Sequence, residues 1–280
     1  MLVVKEITEL QAIIDQEKKE GKTIGFVPTM GALHNGHISL VETATQQSNY
    51  VIVSIFVNPT QFNDKKDLIN YPRTLERDLK LLDKTSCNLV FSPDTNTMYP
   101  EEDKRQFNFG QLETVMEGQF RPGHFNGVAQ VVSKLFEIVK PDKAFFGLKD
   151  FQQLVIIKAL VKQLNLPIEI VPCPIVREND GLAMSSRNQR LTEEQRHNAS
   201  HIYKTLCEAR NKAHIMSVKE LKRWVTETIN QNEFLEEEYF EISDDEQLNT
   251  INDWNSPLNK VGCIAVQCGE VRLIDNIVFE

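Results

Sequence analysis

Gly25-Phe26-Val27-Pro28-Thr29-Met30-Gly31-Ala32-Leu33-His34-Asn35-Gly36-His37 decides how this chain is read. An apolar run, a turn and then the start of a helical pattern form a strand feeding a helix, the unit of an α/β sheet. A helix start leaves backbone N–H groups unpaired and carries the positive end of the dipole, so it attracts phosphate. Gly36 lets a ligand approach the backbone closely. His34 and His37, three positions apart, share one helical face, and both can donate to phosphate oxygens. The stretch therefore predicts a nucleotide site. A metal clip and two surface histidines at a loop are the competing readings; against the clip, no cysteine or further histidine stands nearby at ligand spacing.

The alternation continues outward. Upstream, Thr8-Glu9-Leu10-Gln11 has the capping-box pattern for a first helix, with Gly21 at its end. Residues 24–27 are the strand of the opening stretch and 36–48 its helix. Downstream, the β-branched run 51–57 is a second strand, and Thr74 caps a helix carrying Leu75, Leu79 and Leu82. Leu89-Val90-Phe91 and Ala144-Phe145-Phe146 are strands, as is 168–171. Between them lie a helix carrying Val128, Val131, Val132, Leu135 and Val139, stopped by Pro141, and another carrying Leu154, Ile157, Leu160, Val161 and Leu164. Continuously apolar strands alternating with helices predict a parallel sheet covered on both faces. Its ligands belong beyond the carboxyl ends of the strands, where the histidine motif falls.

After about residue 178 the rhythm changes. Thr192 with Gln195 boxes a long helix, Ser217 with Glu220 boxes a second, and short strands follow around 239–242, 261–267 and 271–274. The expectation is an α/β body over residues 1–178 and a smaller α+β domain over 179–280. The runs Glu236-Glu237-Glu238 and Asp244-Asp245-Glu246 read as a solvated face.

Composition narrows the function classes. A chain of 280 residues can bury a substantial core, and 41% hydrophobic with 25% charged residues is an ordinary soluble balance. A net charge of −9 argues against a protein that coats nucleic acid, whose footprint is basic. It leaves room for a small anionic ligand, which needs only local positive potential. Cys87, Cys173, Cys207, Cys263 and Cys268 form no C-x-x-C pair, as expected for reduced thiols in a cytoplasmic protein. Met1-Leu2-Val3-Val4-Lys5-Glu6 has no signal-peptide layout, and the longest apolar stretch, 50–57, is too short to cross a bilayer.

Four further segments carry chemistry. Asn58-Pro59-Thr60-Gln61-Phe62 follows the second strand, and Gln61 offers two donors and an acceptor, although by itself the segment reads as a plain turn. Arg121-Pro122-Gly123-His124-Phe125-Asn126-Gly127 is a glycine-rich loop feeding a helix, and alone it is a connector. Phe146-Gly147-Leu148-Lys149-Asp150 places Lys149 at a helix start, against the dipole unless an anion is present, with Gln153 one turn on. Met184-Ser185-Ser186-Arg187-Asn188 follows the turn Asn179-Asp180-Gly181. Two hydroxyls and a guanidinium suit closure over a triphosphate, and an interdomain linker is the alternative. The polar stretch 62–71 reads as a loop.

Together these segments resemble the pantoate–β-alanine ligase (pantothenate synthetase) family. The match runs through Pro28-Thr29-Met30-Gly31-Ala32-Leu33-His34-x-Gly36-His37, Phe56-Val57-Asn58-Pro59-Thr60-Gln61-Phe62, Tyr71-Pro72-Arg73-Thr74 and Arg121-Pro122-Gly123-His124-Phe125. It continues in Phe146-Gly147-x-Lys149-Asp150-x-Gln152-Gln153-Leu154 and Asp180-Gly181-Leu182-Ala183-Met184-Ser185-Ser186-Arg187-Asn188, all in the family's order. Two of the six echo the HIGH and KMSKS signatures of the wider adenylyl-transferring superfamily. The C-terminal hundred residues match only loosely.

The resemblance implies a Rossmann-like body, a C-terminal lid and a homodimer. It implies condensation of pantoate with β-alanine through a pantoyl adenylate, with ATP cleaved to AMP and pyrophosphate, a step of pantothenate and coenzyme A biosynthesis. By position, ATP would be held by Met30, Gly31, Ala32, Leu33, His34, Asn35, Gly36 and His37, by Gly147, Leu148, Lys149 and Asp150, by Val176, and by Met184, Ser185, Ser186 and Arg187. Gln61 and Gln153 would hold pantoate, with Gln61 also near β-alanine. His37 would be the family's proton donor, with His34, Lys149 and Arg187 beside it in catalysis. Mg²⁺ is expected on the phosphates, with Asp78 as a contributor. One departure stands out: Leu148 occupies a position where the family pattern has glutamate.

Three other readings compete. A nucleotidyltransferase of the same superfamily would stop at a nucleotide-bearing product. A non-catalytic nucleotide sensor would be expected to lack the histidines or Lys149, and both are present. A tRNA-binding protein is disfavoured by the acidic charge.

Overall fold

The structure is a computed structural model that describes residues 1–62 and 65–279. Strands β1 (Leu2–Val4), β2 (Ile24–Thr29), β3 (Tyr50–Ile55), β4 (Leu89–Phe91), β5 (Lys143–Gly147) and β6 (Glu169–Cys173) pair in the order β1-β4-β3-β2-β5-β6. Every pairing is parallel. From β2 the chain winds outward through β3 to β4, then returns to lay β5 against the other side of β2. The winding therefore reverses between β2 and β5, which opens a crevice at their carboxyl ends.

Side-chain alternation accounts for the two covered faces. Phe26 and Ile52 point into one core with Leu89, Phe136 and Leu154. Their neighbours Val27, Val51 and Val53 point into the opposite core with Val41, Val90 and Phe145. All six residues of β3 are buried, and burying each such apolar side chain contributes about 1.5–3 kcal/mol.

The C-terminal part is built on an antiparallel sheet of β7 (Glu236–Asp244), β8 (Lys260–Cys268) and β9 (Val271–Phe279). Ile264 and Val266 on β8 face a core shared with the helices His201–Lys212 and Val218–Asn230, through Leu206, Leu221, Val225 and Ile229. Val261 and Cys263 face the other way and join the core of the body. The small sheet is thereby fastened to the large domain by its second face.

Several local expectations change. The first helix is Ile7–Lys19 and starts before Thr8; Glu6 occupies its N-cap without a side-chain hydrogen bond, so the box around Thr8 does not form. The stretch 62–71, read as a loop, contains the short helix Lys65–Asn70, and its residues 63–64 lie outside the described ones. The Thr192–Gln195 box does form, but its helix is the short Glu193–Ala199, and a separate helix runs His201–Lys212. The Ser217–Glu220 box caps Val218–Asn230 as read. Strand β1 had no sequence signal, because only three residues pair and Leu2 and Val3 remain exposed at the sheet edge.

The solvated-face reading fails for three of the acidic residues, among them Glu237, whose Oε1 accepts the Thr226 hydroxyl at 3.0 Å and whose Oε2 is buried. Asp244 is buried and accepts backbone N–H groups from Glu246 (3.0 Å), Gln247 (2.6 Å) and Asn249 (2.9 Å). Glu238 pairs with Arg272. The five cysteines form no disulfide, and among the described residues no helix is long and apolar enough to cross a membrane.

Candidate active site

Two strand-to-helix junctions meet at the crevice. The first leaves β2 and enters the helix Asn35–Gln47. Gly31 (φ +80°) and Ala32 (φ +50°) both adopt the left-handed region, a strained choice for alanine that the surroundings must enforce. Asp78, on the helix Leu75–Leu82, does so. Its Oδ2 accepts the Ala32 N–H (2.9 Å), and its Oδ1 accepts the Leu33 N–H (2.8 Å) and the Thr74 hydroxyl (3.1 Å).

His34 then sits at the helix N-cap, where its Nδ1 accepts the Gly36 N–H (3.1 Å), while Nδ1 of His37 accepts the His34 N–H (3.3 Å). The two imidazoles form a capping box of their own. Because Nδ1 is an acceptor in each ring, each neutral ring carries its proton on Nε2. The ring centroids are 4.1 Å apart. Burial, reinforced by the Lys149 charge, lowers His34 to about 4. Burial, then the charges of His34 and Lys149, lowers His37 to about 3. Both rings are thus neutral N–H donors at pH 7. A Cβ on Gly36 would come within 2.8 Å of His34 Cε1, so glycine is what allows the ring to reach the backbone.

The second junction leaves β5 through Gly147, makes the 3₁₀ turn Leu148–Asp150 and enters the helix Phe151–Gln163. Lys149 Nζ lies 3.7 Å from Asp150 Oδ1. Leu148 packs its side chain on the body core and lines neither of the two cavities that meet at the crevice. Its side chain therefore forms no part of the crevice wall. The carbonyls of Leu148 and Lys149 accept the amide of Asn276, from β9, at 2.8 and 3.0 Å.

The first cavity, about 230 Å³, gathers most of the residues singled out in the sequence: Met30, His34, Gly36, His37, Gln61, Gly147, Lys149, Asp150, Gln153, Val176, Met184, Ser185, Ser186 and Arg187. Phe56, Val128, Val131, Val132 and Leu135 give it an apolar wall. The second, about 550 Å³, opens between the body and the small sheet and shares Lys149, Asp150, Gln153, Ser185 and Arg187 with the first. Gly31, Ala32 and Leu33 support the loop from below, and Asn35, like Leu148, lines neither cavity. Asp78 also lies outside both, with its carboxylate spent on backbone N–H groups. Among the described residues no three His, Cys, Asp or Glu side chains gather into a metal-holding cluster.

Gln61 is buried, donates to Met30 Sδ (3.0 Å) and accepts from Asn58 Nδ2 (3.3 Å). Asn58 also reaches the Gly127 carbonyl (3.2 Å) and accepts from the Tyr99 hydroxyl (3.0 Å), so the segment is a braced wall and more than a turn. The Met184–Asn188 loop is likewise built in. Ser185 Oγ accepts the Arg187 N–H (3.2 Å), and Asn188 Nδ2 donates to the Ala183 carbonyl (3.1 Å).

Sequence reasoning missed the contacts that span the chain. His124 Nδ1–H donates to the Gln61 carbonyl at 2.8 Å, and burial, with the Arg121 charge, lowers that ring to about 4. Glu117 accepts Arg272 Nη1 (2.8 Å), Arg272 Nη2 (2.7 Å) and the Tyr239 hydroxyl (2.8 Å) across the domain junction. Only the RPGHF motif hinted at the first, and no spacing signals the second.

Residues 2–278 match the model of the pantoate-beta-alanine ligase family. A pantothenate synthetase from Bacteroides fragilis is 54% identical over 280 residues, spanning 100% of this chain and 99% of that protein. One from Porphyromonas gingivalis is 52% identical over 280 residues and the full length of both. Among solved structures, the pantothenate synthetase of Thermus thermophilus superposes with a TM-score of 0.92 at 42% identity, covering 99% of each chain. A pantoate-beta-alanine ligase from Francisella tularensis, complexed with beta-gamma ATP and beta-alanine, gives 0.83 at 35% identity, covering 99% of this chain and 97% of that one.

Proposed function

The chain belongs to the pantoate–β-alanine ligase family, and from that premise we infer how its crevice joins pantoate to β-alanine at the expense of ATP. A carboxylate resists attack by an amine because its oxygen is a poor leaving group. In the first step a pantoate carboxylate oxygen attacks the α-phosphorus, and the bond to the β-phosphate oxygen breaks with its electron pair leaving on pyrophosphate. In the second, the β-alanine amine attacks the acyl carbon, the bond to AMP breaks, and the amine loses a proton. Catalysis consists of positioning and of neutralising charge on the phosphates, and no enzyme nucleophile is required.

The neutral Nε2–H groups of His34 and His37 donate to the α-phosphate as charge builds on it. His37 serves as the family's proton donor in this hydrogen-bonding sense. Lys149, Ser185, Ser186 and Arg187 hold the departing pyrophosphate. Met30, Gly36, Gly147, Asp150, Val176 and Met184 complete the ATP wall. Gln61 and Gln153 take pantoate's polar groups, with Gln61 also facing β-alanine, and the apolar wall of Val131, Val132 and Leu135 takes its methyl groups. Asp150, a carboxylate that lines both cavities, would be the group to hold Mg²⁺ arriving with the nucleotide, and the ion would supply neutralisation of phosphate charge. Asp78 shapes the loop and is assigned no metal. Residues 1–178 act as the body and 179–280 as the lid. Family membership also supports a homodimer working in the cytoplasm.

The observation that carries this reading is the convergence of both imidazoles, Lys149 and Arg187 on one cavity beside Gln61 and Gln153. Mass spectrometry after mixing the protein with ATP, pantoate, β-alanine and Mg²⁺ tests it. Pantothenate plus AMP is expected, with free AMP appearing only when the amine is added. A nucleotide-bearing product that survives β-alanine, or no turnover of ATP, would overturn it.

A further inference from the structure

The lid contributes a residue to the phosphate grip without touching the phosphates. Lys149 stands on the turn Leu148–Asp150, which has no side-chain cap at its own N-cap or at that of the following helix. What fastens the turn comes from the far end of the chain. Asn276 is 6% exposed, and its amide donates to two consecutive carbonyls, those of Leu148 at 2.8 Å and Lys149 at 3.0 Å. An amide has two hydrogens, and both are used.

Asn276 is itself held. Its N–H donates to Asp275 Oδ1 (2.8 Å), and Asp275 is gripped by Arg177 through Nη1 to Oδ2 (2.6 Å) and Nη2 to Oδ1 (2.9 Å). Arg177 lies 3.5 Å over the Tyr203 ring and donates to the Gly181 carbonyl (3.1 Å), at the root of the loop that carries Ser185, Ser186 and Arg187. One strand, β9, thus ties together the turn bearing Lys149 and the loop bearing the other phosphate ligands. Its opposite end is anchored to the body through Arg272 and Glu117.

We propose that Asn276 is a positioning residue for ATP binding: through the two carbonyls it sets where Lys149 stands relative to the Ser185–Arg187 loop. The inference rests on the phosphate role given above to Lys149. Its effect falls on ATP more than on pantoate, because Lys149 lies on the turn that Asn276 holds, whereas Gln61 is braced by Asn58 and His124 and Gln153 lies further along the helix Phe151–Gln163.

The test is a double-mutant cycle on the full chain, read as ATP affinity by calorimetry. Asn276→Ala should weaken ATP about tenfold, the equivalent of about 1.4 kcal/mol, and leave the KM for pantoate within about twofold. In a Lys149→Ala background the same substitution should add nothing, since its effect passes through that lysine. Additive losses, unchanged ATP affinity, or equal weakening of both substrates would overturn the proposal. Should Asn276→Ala not fold, Asn276→Asp keeps the shape but removes both donors, and the same outcomes decide. Product analysis of the parent tests the ligase reading separately, because ATP affinity is measurable whatever the products are.

Discussion

The two strand-to-helix junctions of the crevice look alike and are held by different means. Both leave neighbouring parallel strands at their carboxyl ends, both turn into a helix, and both bring cationic or N–H groups to the crevice. The junction after β2 is self-sufficient: its histidines cap their own helix, and its strained turn is pinned by Asp78 from the same domain. The junction after β5 is braced from β9 by Asn276. The difference separates a junction held by residues of its own helix and a neighbouring helix from one held by the C-terminal sheet.

The largest effect should come from the self-sufficient side. His37→Ala removes one aimed N–H donor and should slow adenylate formation by roughly 10²–10³, read by pantoate-dependent ATP–pyrophosphate exchange. Parental exchange would break the comparison, since the junction would then be scaffold only.

Next in size is stability. Asp78→Ala strands the buried N–H groups of Ala32 and Leu33 and should cost about 2–4 kcal/mol in urea unfolding. Asn276→Ala should cost less, because it removes neutral amide donors from two carbonyls on a half-buried turn and leaves no buried N–H group stranded. Equal losses for the two variants would show that both junctions depend on the whole assembly.

The smallest effect concerns pH. His37 at about 3 and His124 at about 4 lie below the ordinary value because burial disfavours the charged ring. The unfolded chain takes up protons first, so their stabilising contribution is complete above pH 6.5 and declines as the pH falls toward 4 and then 3. Between pH 7 and 5.5 the decline should be about 1 kcal/mol per ring. Melting of the parent and of His37→Gln at the two pH values checks this: the variant should lose less, and identical losses would place the acid sensitivity elsewhere.

Much of this was legible without coordinates, for identifiable reasons. The boxes at Ser217 and Thr192 were readable because a cap involves residues three apart. The box at Thr8 misled because the same letters occur one residue inside a helix that Ile7 begins. Asp78 was expected at a metal, and the N–H groups it serves lie 45 and 46 residues away, beyond any local pattern. Glu238 and Asp244 looked solvated for the same reason. A charge run reads as surface until a distant guanidinium or a turn's own backbone closes on it.

By itself the sequence determined the alternation of strands and helices, the family and the place of the histidines at a strand's carboxyl end. All of these depend on residue type and on periods of two to four residues. Only the tertiary structure decided what holds Ala32 in its strained turn and that Asn276 reaches the Lys149 turn. Those outcomes depend on hydrogen bonds between groups that fold together from tens of residues to well over a hundred apart, and such bonds leave no spacing to read.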